Sequence, residues 1–155
     1  MFRARQASRT RDVALHLLKL AVGIDGVDHL RAVQAARLER LGRLIHVTRF
    51  TPRRAEEILA GGSMYWVIRH RIRVRQRILA FDRHETKAGG KPKCAIVLDP
   101  ELIATDPVHR RPHQGWRYLE GTAAPRDLGP VGTVEIPEDA FPPDMAAELR
   151  ALGLL

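Results

Sequence analysis

Arginine occupies every second position in one short part of this chain, at Arg69, Arg71, Arg73, Arg75 and Arg77, with no acidic residue between them. A guanidinium group stays charged at any working pH, and its planar fork of donors fits phosphate oxygens bidentately. An unbroken strand would place all five on one face, about 6.7 Å apart. A hairpin turn at residues 70–71 would force only Arg73, Arg75 and Arg77 onto a common side and would place Arg69 by pairing across the hairpin. We predict an anion-binding strand face in either case.

Guanidinium groups this close repel one another, so such a row needs negative charge from elsewhere. The acidic last third of the chain could supply it, with Glu135, Glu138 and Asp139 as candidates. An anionic ligand could supply it instead. The sequence leaves both interpretations open, and only the second gives the strand a function.

A second basic segment covers residues 109–121, with the sequence HRRPHQGWRYLEG. It interleaves Arg110, Arg111 and Arg117 with the rings of Trp116 and Tyr118. Aromatic faces beside guanidinium groups are how proteins stack single-stranded bases while holding their phosphates. We therefore predict a nucleic-acid-binding loop. The chain has few aromatic residues, so the two rings could equally anchor this loop in the core.

Histidine and cysteine do not indicate a metal site. His109 and His113 are four residues apart, as on a helix face, but Pro112 between them argues against a helix, and no third ligand lies near. Cys94 is the single cysteine, which excludes an intramolecular disulfide and fits a reducing compartment. We predict no metal and no other cofactor.

Acidic residues offer an alternative, catalytic interpretation. Asp99, Glu101 and Asp106 could act as paired carboxylates in general acid or base chemistry, although DPEL after a strand is also an ordinary start of a helix. The segment AGGKPK at residues 88–93 lacks the glycine spacing of a nucleotide-binding loop. A small hydrolase or transferase acting on an anionic metabolite or nucleoside stays the second hypothesis.

Charge is distributed unevenly along the 155 residues. The net charge is +8, but residues 119–155 hold seven acids against two arginines, so the preceding part carries about +13. A basic chain with clustered arginines is typical of proteins that bind phosphate-bearing partners. The competing explanation is genomic, because 22 of the 26 basic residues are arginine, as in proteins from GC-rich genomes.

The length suits one domain with one core, and the patterning predicts a single α+β domain over residues 13–155, a small mixed sheet packed with about three helices. Residues 1–12 are predicted to be a disordered basic arm. The longest apolar segment, residues 13–24, is too short to span a membrane. We therefore expect a cytoplasmic protein with no membrane partner.

Hydrophobic periodicity predicts the individual elements. Residues 13–22 are apolar on both alternations, which indicates a buried strand. Residues 23–42 follow a helical period, with Asp28 as the N-cap and Gly42 as the stop. Residues 44–50 alternate as a second strand.

A short helix should follow, capped by Thr51, with Pro52 in its first turn and its end at Ala60. The remaining predictions are a basic exposed turn at residues 86–93, a buried strand at 93–100, a mostly irregular region at 101–133, an edge strand at 134–137 and a helix at 143–152.

Three segments carry a resemblance to a known family: RFTPRRAEEILAGGSMYWVIRHRIRVRQRI at residues 49–78, CAIVLDPEL at residues 94–102 and HQGWRYL at residues 113–119. They resemble a bacterial family of small proteins catalogued as a domain of unknown function. The resemblance covers roughly residues 13–155 and implies no activity.

A more remote resemblance is to the PUA-like superfamily, particularly its ASCH branch, in the order helix, glycine, strand with a terminal arginine, and a strand entering a barrel. Gly62 and Arg69 match the branch's Gly-x-Lys-x-x-Glu-x-Arg pattern, whereas Met64 and Val67 replace its Lys and Glu. The resemblance implies a PUA-like barrel with a cleft for RNA or modified nucleosides. The missing charged pair favours binding over catalysis, and fold analogy alone does not fix function.

These observations together predict an RNA-binding domain. Its phosphate-binding residues would be the strand arginines and the loop arginines, with the two loop rings as a stacking platform: Arg69, Arg73, Arg75, Arg77, Arg110, Arg111, Trp116, Arg117 and Tyr118. A third hypothesis is a protein-interaction module that uses the acidic helix at residues 143–152. The sequence leaves open the choice between RNA and DNA and the oligomeric state.

Overall fold

A computed structural model describes residues 14–136 of the chain. The predicted basic arm at residues 1–12 and the predicted helix at residues 143–152 lie outside the described residues. The elements in chain order are β1 Leu15–Leu20, α1 Val27–Leu41, β2 Leu44–Thr48, α2 Ala55–Leu59, β3 Ser63–Ile68, β4 Arg71–His84, β5 Lys93–Leu98, β6 Ile103–His109, β7 Trp116–Glu120, a single 3₁₀ turn Gly121–Ala123 and β8 Asp127–Pro130.

The strands form one open mixed sheet. Its order is β2-β5-β4-β3-β1-β7, with β6 paired to β4 and β8 paired to β6. The β1–β3 pair is parallel, and the other strand pairs are antiparallel. The predicted α+β class with a mixed sheet is confirmed. Residues 14–136 contain two α-helices, the third predicted helix lies outside this range, and the open sheet does not show the predicted barrel.

Two apolar clusters cover the two sides of this sheet. The larger one lies on the side that packs against α1 through Val27 and Leu30. We call this side the helix face; its strand residues include Leu17, Met64, Trp66, Val74, Ile78 and Ile96. The smaller cluster lies on the opposite face and contains Leu18, Tyr65, Val67, Ile72 and Leu119. Strands apolar on both alternations, as predicted for β1, are thereby buried on both sides.

The first helix confirms its predicted end but not its predicted cap. Gly42 adopts a left-handed conformation with φ 75°, and its N–H donates to the Leu38 carbonyl. The N-cap is Gly26, in extended conformation, and Asp28 lies instead in the first turn, where its charge suits the helix dipole. Asp28 is therefore not the N-cap.

The second helix is shorter than predicted. It begins at Ala55 after an N-cap at Arg54, so Thr51 does not cap it and Pro52 precedes it. The chain then leaves the helix through Gly61, whose φ is 144°. Only five residues are helical, and just one of them, Ile58, is buried.

A hairpin joins β3 and β4. Arg69 and His70 both have positive φ, 50° and 67°, and form its two-residue turn. Positive φ at both central positions matches the twist of the flanking strands in the manner of a type I′ turn. The hairpin alternative is thus confirmed, with the turn one residue earlier than predicted.

The region predicted to be irregular, residues 101–133, contains three strands, so that prediction is wrong. β6 tolerates Pro107 because three of its residues, 105–107, oppose the single Arg73 of β4, where regular ladder bonding is already interrupted. β8 is an edge strand and ends at Pro130. The edge strand predicted at residues 134–137 is reduced to one isolated bridge between Val131 and Val134.

Gly62 connects α2 to β3 at a point where backbones nearly touch. Its N–H donates to the Ile58 carbonyl at 2.6 Å. A Cβ at this position would lie 2.6 Å from the same oxygen and would overlap the carbonyl oxygen of Leu15 on β1. No side chain can be added here without moving main chain.

We expect Gly62→Ala to lower the free energy of unfolding by more than about 2 kcal/mol, because overpacking against backbone cannot relax by a rotamer change. Gly42→Ala is the matched control: its Cβ meets nothing within 4 Å, so it should show only the left-handed penalty of about 1 kcal/mol. Urea unfolding of both variants measures the difference. Equal losses of unfolding free energy in the two variants would show that the neighbouring main chain does not exclude a side chain at Gly62.

Candidate functional site

A β-bulge interrupts the alternation of the arginine strand. Ile72 pairs with Val67 and Val74 pairs with Trp66, which leaves Arg73 without an opposite residue on β3. An extra residue reverses the side on which the following residues lie. Accordingly, Ile72 belongs to the cluster on the opposite face, whereas Val74 belongs to the helix-face cluster.

The bulge distributes the arginines over both sides of the sheet. Residues directly paired across an antiparallel ladder point to the same face. Arg71 pairs with Ile68 and so lies on the helix face, whereas Arg75 pairs with Tyr65 and lies on the opposite face. Arg77, two residues further along β4, shares the side of Arg75. The five arginines therefore do not form one row.

Burial separates them further. Arg73 is only 4% exposed and Arg71 only 9% exposed. Arg77 and Arg69 are exposed; the former donates to the Leu59 carbonyl at 3.3 Å, and the latter lies 3.9 Å from an Asp25 carboxylate oxygen. The prediction of an exposed arginine row on one face is wrong, because the bulge and the surrounding core bury its middle.

Arg75 is matched by the protein's own carboxylate. Its Nε and Nη2 donate to the two oxygens of Asp127 on β8, each at 2.8 Å, and its Nη1 donates to the Ser63 hydroxyl at 3.0 Å. Burial lowers the pKa of Arg75, but hydrogen bonding and the charge of Asp127 outweigh it and hold the pKa above its usual value. The internal partner is thus Asp127 rather than Glu135; Glu138 and Asp139 lie outside the described residues.

The aromatic residues of the second basic segment are packing residues. β7 places Trp116 and Tyr118 opposite Lys19 and Leu17 of β1, and both rings pack against the helix-face cluster. The two rings meet edge to face at 5.0 Å. The guanidinium of Arg54 lies 5.4 Å from the centre of the Tyr118 ring, whose hydroxyl accepts from the Arg54 backbone N–H. Their positions therefore agree with the alternative that the two rings anchor this segment in the core.

The arginines of this segment lie apart from those rings. Arg117 pairs with Leu18 and so lies on the opposite face; it is exposed and donates to two backbone carbonyls. Arg111 is exposed, and Arg110 is half-buried with its backbone N–H bonded to the His70 carbonyl. Nucleic-acid binding by these residues, and by the strand arginines, stays a prediction.

A basic groove that the sequence analysis missed lies where β2 ends beside the β4–β5 loop. It has a volume of about 720 Å³ and is lined by Arg49, Phe50 and residues 86–93. Arg49, Lys87, Lys91 and Lys93 supply four positive charges, and no acidic residue lines it. Phe50 is 66% exposed, and the Arg49 guanidinium lies 5.2 Å from the centre of its ring.

Local hydrogen bonds shape the loop of the basic groove. The Gly90 N–H donates to the Lys87 carbonyl at 2.8 Å, and the Thr86 hydroxyl donates to the Lys91 carbonyl at 3.0 Å. Two nearby acids are already paired, Asp82 with Arg43 and Glu85 with Arg83. The sequence marked this loop as a basic turn, but only the β2–β5 pairing brings Arg49 and Phe50 beside it.

A smaller cavity of about 230 Å³ lies between α1 and the helix face. We call it the cationic cavity because Lys19 and Arg37 line it together with His46 and Trp66, and no acid does. The His46 and Trp66 rings meet edge to face at 5.3 Å. Burial, helped by the charges of Lys19 and Arg37, lowers the pKa of His46 to about 4. Burial also lowers the pKa of Lys19.

Among the carboxylates proposed for general acid or base chemistry, Asp106 lies on β6 and accepts from the Arg126 guanidinium at 3.2 Å. The Asp99 carboxylate accepts from the Glu101 backbone N–H at 2.8 Å, as in an ordinary turn. Over residues 14–136, no three His, Cys, Asp or Glu side chains are placed to hold a metal ion. In the same range no helix is long and apolar enough to cross a membrane.

Removing the carboxylate of Asp127 tests how much its pairing with Arg75 contributes to stability. We expect Asp127→Asn to lower the free energy of unfolding by about 2 kcal/mol, because Arg75 would keep its charge and lose charge-assisted hydrogen bonds. Asp106→Asn is the matched control, since its partner Arg126 is largely exposed and such pairs contribute about 0.5 kcal/mol. Equal losses in denaturant unfolding would contradict the distinction.

The low pKa of His46 predicts acid sensitivity. The unfolded chain takes up this proton near 6.5 and the folded protein only near 4, so stability is complete above the first value and falls as pH decreases towards the second. Wild type should lose about 2 kcal/mol more than His46→Gln between about pH 7 and pH 5. Urea titrations at both values measure this. Parallel losses in the two proteins would contradict it.

Comparison with known proteins adds a family and no activity. No curated protein matches the chain, and no solved structure does either. The model of a family described as a protein of unknown function (DUF1489) matches residues 17–155. That match covers most of the chain and confirms the resemblance to an uncharacterised family, so this protein belongs to the DUF1489 family.

Proposed function

We propose that this protein binds single-stranded nucleic acid, with RNA as the first candidate, through the basic groove. The observation that carries the proposal is the composition of the groove: four cations, one exposed aromatic ring and no lining carboxylate. Such a surface offers charge to phosphates and a flat face to bases, which are the two elements of single-strand recognition.

The types of cation indicate how the strand would be held. Three of the four are lysines, which act as hydrated point charges on flexible stems and suit a backbone whose phosphates vary in position. Arg49 lies against Phe50 and extends its surface with a second planar group. This combination favours binding that depends weakly on base sequence.

The strand arginines give less support to the proposal. Arg73 is buried and Arg75 is neutralised by Asp127. We therefore assign the main phosphate contacts to the basic groove rather than to the arginines of β4. Arg77, Arg111 and Arg117 are exposed and could extend the footprint. The ASCH branch of the PUA-like superfamily has a cleft associated with RNA or modified nucleosides, and this remote resemblance supports the class of ligand but not the position of the site.

Fluorescence anisotropy with a labelled single strand of about 12 nucleotides tests the proposal. Binding should be tighter than ~100 μM at low salt, and the slope of log affinity against log salt should be about −3 for four phosphate contacts at about −0.7 each. RNA and DNA of the same sequence, measured side by side, decide the sugar preference. Affinity weaker than that limit, or indifferent to salt, would overturn the proposal.

Variants assign the binding to the groove. Lys87→Gln combined with Lys91→Gln should reduce the magnitude of the slope by about 1.4, because two phosphate contacts disappear. Phe50→Ala should weaken binding about tenfold and leave the slope unchanged, because it removes stacking and no charge. Arg126→Gln removes an exposed charge outside the groove and is the matched control. The alternative result is that the double variant Arg77→Gln, Arg117→Gln reduces the magnitude of the slope and the double variant Lys87→Gln, Lys91→Gln does not. In that case the basic groove is not the binding site.

A further inference from the structure

The cationic cavity is separate from the basic groove, and the two share no lining residue. Its walls come from α1, from β1 and the turn after it, and from β2, with Trp66 of β3 and Leu98 of β5 behind them. Two lining residues, Val22 and Arg37, are exposed, so the cavity opens to solvent beside them.

The charges in this cavity are unbalanced. Lys19 and Arg37 line it, and none of the fourteen lining residues is acidic. Lys19 is half-buried, and the one hydrogen bond described for its ammonium group is a long one of 3.4 Å to the Leu20 carbonyl. An ammonium group has three donors, and a partly desolvated one is stabilised by a nearby anion. None of the described residues that line the cavity supplies one.

An imidazole nitrogen adds a further unmatched polar atom. Nε2 of His46 is buried and has no hydrogen-bond partner among the described residues. Buried polar nitrogen atoms are nearly always bonded, and an exception needs an explanation. The position of His46 in the wall of an open cavity suggests that a ligand atom completes its hydrogen bonding.

The remaining lining is apolar and rigid. Nine of the fourteen lining residues are aliphatic, among them Ile24, Leu30, Val33, Leu44 and Leu98. The aromatic wall is fixed, because the indole N–H of Trp66 donates to Gln76 at 2.8 Å and Gln76 exchanges two hydrogen bonds with Gln34 on α1. A polar network with its members satisfied is a preorganised wall and leaves those groups little need for a ligand.

We propose that the cationic cavity binds a small organic oxyanion, a carboxylate or phosphate monoester attached to an apolar body, with Lys19 and Arg37 holding the anion. The apolar body lies against Trp66 and the aliphatic wall, and His46 contributes a hydrogen bond to the oxygen atoms. The cavity volume of about 230 Å³ suits a ligand of the size of a short-chain or single-ring acid.

The full-length protein tests this with two anionic probes, hexanoate and phenyl phosphate, and one neutral probe, hexanol. Binding is followed by NMR through the His46 ring resonances and Trp66 indole resonance. We expect at least one anionic probe to bind with a Kd below about 1 mM and to shift both residues. Hexanol should bind at least about tenfold more weakly than hexanoate if the carboxylate is held, and the two anions distinguish carboxylate from phosphate.

Arg37→Gln should weaken the anionic probe about tenfold or more, and Lys19→Gln should do the same. Arg40→Gln is the matched control, because Arg40 is also exposed on α1 but does not line the cavity. The Lys87→Gln, Lys91→Gln protein should bind the probe as wild type does, which separates this site from nucleic-acid binding.

Three results would overturn the proposal. The first is that neither anion shifts the His46 and Trp66 resonances. The second is that hexanol binds as tightly as both anions, which would show that the cavity binds apolar groups and that its cations do not contribute. The third is that Arg37→Gln behaves like Arg40→Gln. Arg37 is exposed, so Arg37→Gln is expected to fold. This variant therefore tests the proposal even if Lys19→Gln fails to fold.

Discussion

The fold depends on one long strand with a bulge in it. β4 spans fourteen residues and pairs with β3, β5 and β6, whereas each other strand of the described residues pairs with at most two. Because Arg73 is extra in the ladder, Ile72 and Val74 can serve two different cores on two different sides. Without the bulge, a strict alternation would place either arginines or aliphatic residues on the wrong face over half the strand.

This constraint determines where positive charge remains available. A guanidinium taken into the sheet must be matched, and Asp127 on β8 matches Arg75 with two hydrogen bonds in a half-buried setting. Exposed carboxylates near other arginines are used similarly, as Asp82 is by Arg43 and Glu57 by Arg54. Among the described residues, two or more cations line both the basic groove and the cationic cavity without a lining acid. Part of the excess charge of the chain is therefore concentrated at these two places.

Local patterns predicted the local features of the fold. The helix stop at Gly42, the strand character of residues 13–22 and the hairpin alternative all follow from the conformational preferences of a few neighbouring residues. The bulge at Arg73, the strand around Pro107 and the two lined cavities depend on which strands become neighbours. Strand pairing is decided by packing of the whole sheet, and a sequence period of two contains no information about it. The arginines alternate in the sequence, but the one extra residue at the bulge, Arg73, prevents them from sharing one face of the sheet.

The two cationic sites should differ in the physics of their selectivity. In the basic groove the lysines are exposed, so water and salt screen each charge, and attraction becomes strong only for a ligand that meets several of them at once. In the cationic cavity the half-buried Lys19 and the low pKa of His46 indicate weak screening, so a single anionic group gains much from two cations. A polymer is thus favoured at the first site and a small acid at the second. On the two proposals above, charge density would select the polymer at one site and desolvation would select the small ligand at the other.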